Sequence, residues 1–254
     1  MTKQGVLVIA HGSSNKNWVA QVDACIAAVS LPVPVVVSFL EMVEGRTIAD
    51  GIAALQRQDV HDIVAIPLFV SSGSTHIEEI RYLLGLTKNP HKEMDEPPIK
   101  HTANIRLLSP MNDHELIIDI LVERIKALSE NINREHVLLV GHGSDLPWFQ
   151  AEWERVASSI AQKLQMKLDA KAVSYAFTLP DTLRSTLKAA SSHSPVLLIP
   201  LFLSEGYFTS KKIPDRVNGL MYRYNGKAYL PHTNVSKWVE AVAKEALLLQ
   251  EQVQ

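Results

Sequence analysis

The stretch Gly5-Val-Leu-Val-Ile-Ala-His11-Gly-Ser13 returns later in the chain as His136-Val-Leu-Leu-Val-Gly-His142-Gly-Ser144. Each copy is a short apolar run closed by His-Gly-Ser. An apolar run of this length without polar alternation is the pattern of a strand buried on both faces of a parallel sheet. A second pair keeps nearly the same separation: Ile63-Val-Ala-Ile-Pro67-Leu-Phe-Val-Ser71-Ser-Gly73 returns as Val196-Leu-Leu-Ile-Pro200-Leu-Phe-Leu-Ser204-Glu-Gly206. The offset is 131 positions from His11 to His142 and 133 from Pro67 to Pro200, so two independent matches point to one internal duplication.

Working outward, residues 33–40 and 171–177 read as further strands, and residues 18–29, 47–58, 148–164, 179–190 and 235–248 as amphipathic helices. Each half therefore runs strand, helix, strand, helix, strand, helix, which implies parallel sheets with right-handed crossovers. The expected fold is α/β: two similar lobes, each a parallel sheet flanked by helices, with a cleft between them. The N-terminal lobe is expected over residues 1–130 and the C-terminal repeat over 131–254, divided at the polar stretch 129–134. Residues 89–101, rich in Pro, Lys and Glu, read as an exposed loop on the first lobe. In sheets of this kind ligands gather beyond the carboxyl ends of the strands, where both His-Gly-Ser motifs fall.

Composition narrows the function. The chain has 254 residues, 46% hydrophobic and 20% charged, with a formal net charge of −2, so no overall field draws it to nucleic acid or an anionic membrane. The lone cysteine, Cys25, forms no internal disulfide, which fits a reducing compartment. The apolar run Gly5–Ala10 is too short for a signal-peptide core. No stretch reaches the roughly 18–20 apolar residues that cross a bilayer, and a cytoplasmic protein is expected.

His11 stands at a strand's carboxyl end beside a glycine that permits close approach, where a neutral imidazole can ligate a divalent metal or accept a proton. A structural, hydrogen-bonded histidine is the competing reading, and recurrence at His142 does not separate the two. His76, three residues after Gly73, tilts the balance, since neighbouring strands would let His11 and His76 face one ion. Glu41 ends the strand Ser38-Phe-Leu-Glu41 and adds a carboxylate. Glu78 and Glu79 read equally well as the acidic first turn of a helix. The second half places Phe177 where Glu41 is expected and Phe208-Thr209 opposite Thr75-His76, which leaves one working site and one degenerate copy. Trp18 and Trp148 are placed either to pack or to meet a flat ligand. There is no Gly-x-Ser-x-Gly elbow, no phosphate-binding loop, no dinucleotide fingerprint, no Cys/His zinc spacing and no basic stripe.

In order and spacing, Val-Ile-Ala-His11-Gly-Ser13, Ser38-Phe-Leu-Glu41, Pro67-Leu-Phe-Val-Ser-Ser-Gly73 with His76, and Pro200-Leu-Phe-Leu-Ser-Glu-Gly206 with Ile213-Pro214 resemble the class II chelatases, the sirohydrochlorin cobalt- and iron-chelatases. The resemblance covers most of the chain and is closest to the long, two-repeat form. It implies that His11 and His76 are catalytic, that His11, His76 and Glu41 meet the metal, and that Ser13, Glu41, Ser71 and Gly73 line the tetrapyrrole side. It implies a lyase acting on a tetrapyrrole and Co²⁺, Fe²⁺ or Ni²⁺, with no cofactor beyond the substrate metal, no nucleic acid or membrane partner, and a monomer made sufficient by duplication. One departure stands out: the family places the second histidine two residues after the glycine and follows its acidic pair with Ile/Leu-Pro, whereas here His76 is three after Gly73 and Arg81 replaces the proline. A non-catalytic metal- or tetrapyrrole-binding protein on the same fold, and a phosphate-handling α/β enzyme, remain the rival readings.

Overall fold

The computed structural model describes residues 3–251; the ends of the two expected lobes, residues 1–2 and 252–254, lie outside it. Five consecutive residues, Val6–Ala10, have no solvent exposure, because their strand is paired on both edges and covered on both faces. This strand, β1 (Lys3–Ala10), lies between β2 (Val35–Phe39) and β3 (Val60–Pro67), with β4 (Asn104–Leu107) beyond β3. All pairings are parallel, with Ala10 opposite Phe39 and Ile9 opposite Pro67. The connecting helices are α1 (Lys16–Ala27), α2 (Ile48–Gln56) and α3 (Thr75–Leu83). Leu7 and Ile9 pack with Ile48, Ile52 and Leu55 of α2 and with Ile80 and Leu83 of α3, forming one apolar core. Thr47 starts α2 by a capping box: its hydroxyl accepts the Asp50 N–H while the Asp50 carboxylate accepts the Thr47 N–H.

The helix α4 (Glu115–Leu128) follows, and then the pattern repeats: β5 (His136–Gly143), α5 (Pro147–Lys167), β6 (Ala172–Leu179), α6 (Leu183–Ser191), β7 (Val196–Pro200), α7 (Ile213–Arg216) and α8 (Thr233–Glu251). The second sheet is parallel in the order β6-β5-β7. Its fourth strand has shrunk to a single bridge between Leu197 and Arg223.

The chain forms two compact units. One runs to Phe69, resumes over Thr75–Met111 and takes the chain again from Ser236; the other comprises Val70–Ser74 and Asn112–Val235. A cut at 130/131 thus separates the sequence copies but not the compact units, because the last helix of each copy falls in the unit that holds the other copy's sheet. Helix α4 packs on α5 and β7, whereas in α8 the Glu240 carboxylate accepts the Ser30 N–H at 2.6 Å and Ala246 offers its carbonyl to Arg106.

Local expectations differ in three places. Strand β4 went unread, being four residues long. Helix α6 starts at Leu183 rather than 179, because β6 runs on to Leu179 and Thr182 turns back to donate its N–H to the Phe177 carbonyl. Residues 89–101 form no regular element, yet they are not simply an exposed loop: Ile99 packs on the first core and bonds to the Leu83 carbonyl at 2.8 Å. Among the described residues no helix is long and apolar enough to cross a membrane.

Two features of the second unit are closely packed or buried. Gly73 sits where a Cβ would fall 2.6 Å from the Trp153 backbone nitrogen and 2.7 Å from the Phe149 carbonyl oxygen, so the turn lies directly on α5. Glu135, buried just ahead of β5, accepts from the Ser129 hydroxyl at 2.5 Å, from the Glu130 and Asn131 N–H groups, and from Arg223 at 2.6 Å. Burial alone would raise its carboxyl, but these donors together hold it below the ordinary carboxylate range.

Gly73→Ala should lower unfolding stability by about 1–3 kcal/mol in urea titration, because backbone atoms cannot yield to the added methyl. Because the native Glu135 carboxyl is depressed, its stabilisation is present above the unfolded carboxylate value and fades as pH falls through the native one. Glu135→Gln should therefore cost about 2 kcal/mol at neutral pH, discounted for the partial exposure of Arg223. That deficit should shrink on acidification, measured by thermal unfolding across pH.

Candidate active site

The end of β1 is bound to the end of β2 by backbone. The Leu40 N–H donates to the Ala10 carbonyl at 2.9 Å and the Glu41 N–H to the His11 carbonyl at 3.0 Å. Gly12 has φ +103°, and a Cβ there would lie 1.9 Å from the Glu41 carbonyl oxygen, so only glycine lets the two chains close. This crossing carries the side chain of Glu41 to His11, with Oε1 3.2 Å from Nε2. From the far side of β1, β3 delivers the chain through residues 70–74 into α3, whose first turn presents His76. The two imidazoles meet edge to face, ring centroids 4.4 Å apart, with Nε2 to Nε2 at 3.1 Å. Both rings are about one-third exposed. His11, Glu41 and His76, read separately from the sequence, are thus brought together.

The outer nitrogens of the two rings face acceptors. His11 Nδ1 is 3.0 Å from the Gly12 carbonyl, and His76 Nδ1 is 3.3 Å from Glu79 Oε2. An Nδ1–H on each ring satisfies these contacts and leaves an unprotonated Nε2 on each, so two lone pairs converge at 3.1 Å. That arrangement is repulsive unless a cation sits between or beside them. Two nitrogens each about 2.0–2.1 Å from one ion stand roughly 3.0–3.4 Å apart, so the pair needs little movement to share a metal. A proton on one Nε2 serves in the same place, donated to the other ring or to Glu41. Among the described residues no three His, Cys, Asp or Glu side chains already enclose an ion position. What stands assembled is the imidazole pair with the Glu41 carboxylate against His11.

The second copy holds the same backbone device with different side chains. Gly143 has φ +78°, and a Cβ there would lie 1.8 Å from the Leu179 carbonyl oxygen; His142 Nδ1 faces the Gly143 carbonyl at 3.0 Å. The register Gly141 opposite Phe177 matches Ala10 opposite Phe39, so Leu179, not Phe177, stands where Glu41 does. The expected correspondence at Phe177 is corrected by two residues. Phe208 takes the place of His76, its ring centroid 5.0 Å from that of His142.

The same comparison accounts for the register of His76. Phe208 follows its glycine by two residues and His76 by three, yet Ile213 and Ile80, both fully buried, follow by seven in each copy. The second copy absorbs its extra residue in a π turn, Phe208–Lys212, closed by the Ile213 N–H on the Phe208 carbonyl. The first copy runs as α-helix from Thr75 and needs none. One more residue before the ring is offset by one fewer after it, and the ring still reaches the strand-end histidine.

The expected serines hold local turns. The Ser13 hydroxyl accepts the Asn15 N–H at 3.1 Å, and its counterpart Ser144 accepts the Leu146 N–H at 3.2 Å, so the repeated serine makes the same turn twice. Ser71 is fully buried and accepts the Gly73 N–H at 3.0 Å. Trp18 lies 6.4 Å from the Phe39 ring, and Trp148 is 57% exposed. Two contributors lie outside the expected site set: Glu79, weighed only as part of the acidic first turn of a helix, and Lys92. Glu79 holds His76 from one helical turn on, and the His76–Glu79 spacing of three residues was a legible signal. Lys92 reaches Glu79 Oε2 at 3.2 Å from a segment with no periodicity to announce it. The His76 hydrogen bond, then Lys92, hold the Glu79 carboxyl below its ordinary value despite partial burial.

Comparison with known proteins bears on the chain as a whole. A family model described as CbiX matches residues 5–128 and again residues 136–247. A sirohydrochlorin cobaltochelatase of Methanococcoides burtonii is 30% identical over 128 residues, 48% of this chain and 94% of that protein. One from Methanosarcina barkeri is 30% identical over 127 residues, 49% of this chain and 95% of that protein. The solved structure of SirB from Bacillus subtilis with Fe³⁺ shares the fold at TM-score 0.73 and 24% identity, over 96% of this chain and 95% of that one. Two successive family matches, falling on the two copies of the His-Gly-Ser repeat, establish that this chain belongs to the CbiX family.

Proposed function

We propose that this chain is a metal chelatase that inserts Co²⁺, Fe²⁺ or Ni²⁺ into sirohydrochlorin or a related tetrapyrrole. The observation that carries this reading is the convergence of the His11 and His76 Nε2 atoms at 3.1 Å, with Glu41 at 3.2 Å from His11. The names of the Methanococcoides and Methanosarcina relatives support the substrate.

Insertion exchanges two pyrrole N–H protons for one dication, so a site must hold the metal and take up protons. Facing Nε2 lone pairs do both in turn. While the ion is held, the imidazoles and the Glu41 carboxylate replace part of its water. As the macrocycle nitrogens take the ion, the same lone pairs are freed to accept the departing protons, and Glu41 offsets the resulting positive charge. Metal is a substrate here, and no resident cofactor or nucleotide is invoked. The second copy lacks the second imidazole and the carboxylate, so we assign the chemistry to the first. Duplication within one chain supports action as a monomer.

The test is metal incorporation followed by absorbance, with sirohydrochlorin and each metal in turn. His11→Ala should lower the enzyme-dependent rate by about 100-fold or more, the scale of a lost acid–base group. His142→Ala should leave it within about twofold. Equal losses in the two variants, or no enzyme-dependent insertion with any of the three metals, would remove this reading.

A further inference from the structure

The segment 89–101 is tied along α3 rather than left in solvent. At its start the Glu78 Oε1 accepts both the backbone N–H of His91, at 2.7 Å, and its Nδ1, at 2.8 Å. The next residue, Lys92, donates to Glu79 Oε2 at 3.2 Å. Further on, Ile99 bonds to the Leu83 carbonyl at 2.8 Å, and His101 Nε2 faces the Leu84 carbonyl at 3.3 Å. Contacts therefore advance along the segment as they advance along the helix, from its first turn to its end.

One of these contacts differs from the rest in what it touches. Glu79 Oε2, the atom held by Lys92, is the same atom that faces His76 Nδ1 at 3.3 Å. A glutamate on a helix surface has three side-chain torsions, and nothing in an i,i+3 contact with histidine alone keeps it from turning to water. Lys92 supplies the second anchor. Lys92 is 25% exposed and Glu79 30%, so the contact is more sheltered than a free surface ion pair. The chain of contacts runs from Lys92 to Glu79, from Glu79 to His76 Nδ1, and through the ring to the Nε2 that meets His11.

We propose that Lys92 is a positioning residue for the chelatase site, holding Glu79 so that the His76 ring keeps its Nε2 directed at His11. This rests on the reading of His11 and His76 as the metal-binding pair. Partners that orient a ligating imidazole are worth about 10–100-fold in metal affinity, and an anchor one contact further out acts through the same route.

The test uses the full-length protein and Co²⁺ alone, titrated by its visible absorption, beside thermal unfolding of each variant. Lys92→Met should weaken Co²⁺ binding about 5–10-fold and alter the visible band, Glu79→Ala should weaken it about 10–100-fold, and Lys92→Arg should restore most of the Lys92→Met loss. Added to Glu79→Ala, Lys92→Met should cost nothing further. His91→Ala, which loosens the same segment through Glu78, should leave Co²⁺ affinity within about twofold. Unchanged affinity in Lys92→Met overturns the proposal, as does an equal loss in His91→Ala, an additive loss in the double variant, or no Co²⁺ binding by the parent. If Co²⁺ binding follows the expected pattern while sirohydrochlorin is never metallated, the positioning role stands and the chelatase reading falls.

Discussion

The close backbone contact between Gly12 and the Glu41 carbonyl is the constraint on which the site depends. Parallel strands β1 and β2 would otherwise diverge into their helices at their carboxyl ends. Two backbone hydrogen bonds and a left-handed glycine keep them together one step longer. That step puts a carboxylate from one strand end beside an imidazole from the other. A side chain at position 12 would force the chains apart, so the chemistry requires glycine for steric rather than chemical reasons.

The second copy separates what the backbone imposes from what the chemistry needs. Gly143 repeats the crossing, His142 repeats the ring contact with the following carbonyl, and Ser144 repeats the turn. None of these requires a metal. The differences lie in the two side chains that would face His142: Leu179 in place of a carboxylate and Phe208 in place of an imidazole. An aromatic ring fills the space of the missing histidine without its lone pair. Keeping the scaffold while replacing these two side chains keeps the fold and leaves the facing imidazole and the carboxylate in the first copy alone.

Much of the fold was legible because buried parallel strands leave a dense signal. Val6–Ala10 and Val196–Pro200 are continuous apolar runs, and their repetition made the succession of strands and helices in each half readable. Strand β4 was not, since four residues of which only Ile105 and Leu107 are apolar resemble any loop. Glu41 was read as a carboxylate at a strand end, and the pairing of β1 with β2 brings it to 3.2 Å from His11 while moving its second-copy counterpart from Phe177 to Leu179. Lys92 was beyond reach, because its role comes from where the chain returns and not from any local period.

By itself the sequence determined the duplication, the two parallel sheets and the histidines at the ends of β1 and β5, because burial and strand pairing are written in local apolar pattern. Tertiary structure alone decided that a histidine three residues past its glycine reaches the place that Phe208 reaches at two. It also decided which copy's last helix joins which compact unit, and that a lysine from an irregular segment meets Glu79. The reason is that helix type, helix exchange and loop return are settled by packing between segments distant in sequence, and no local spacing records them.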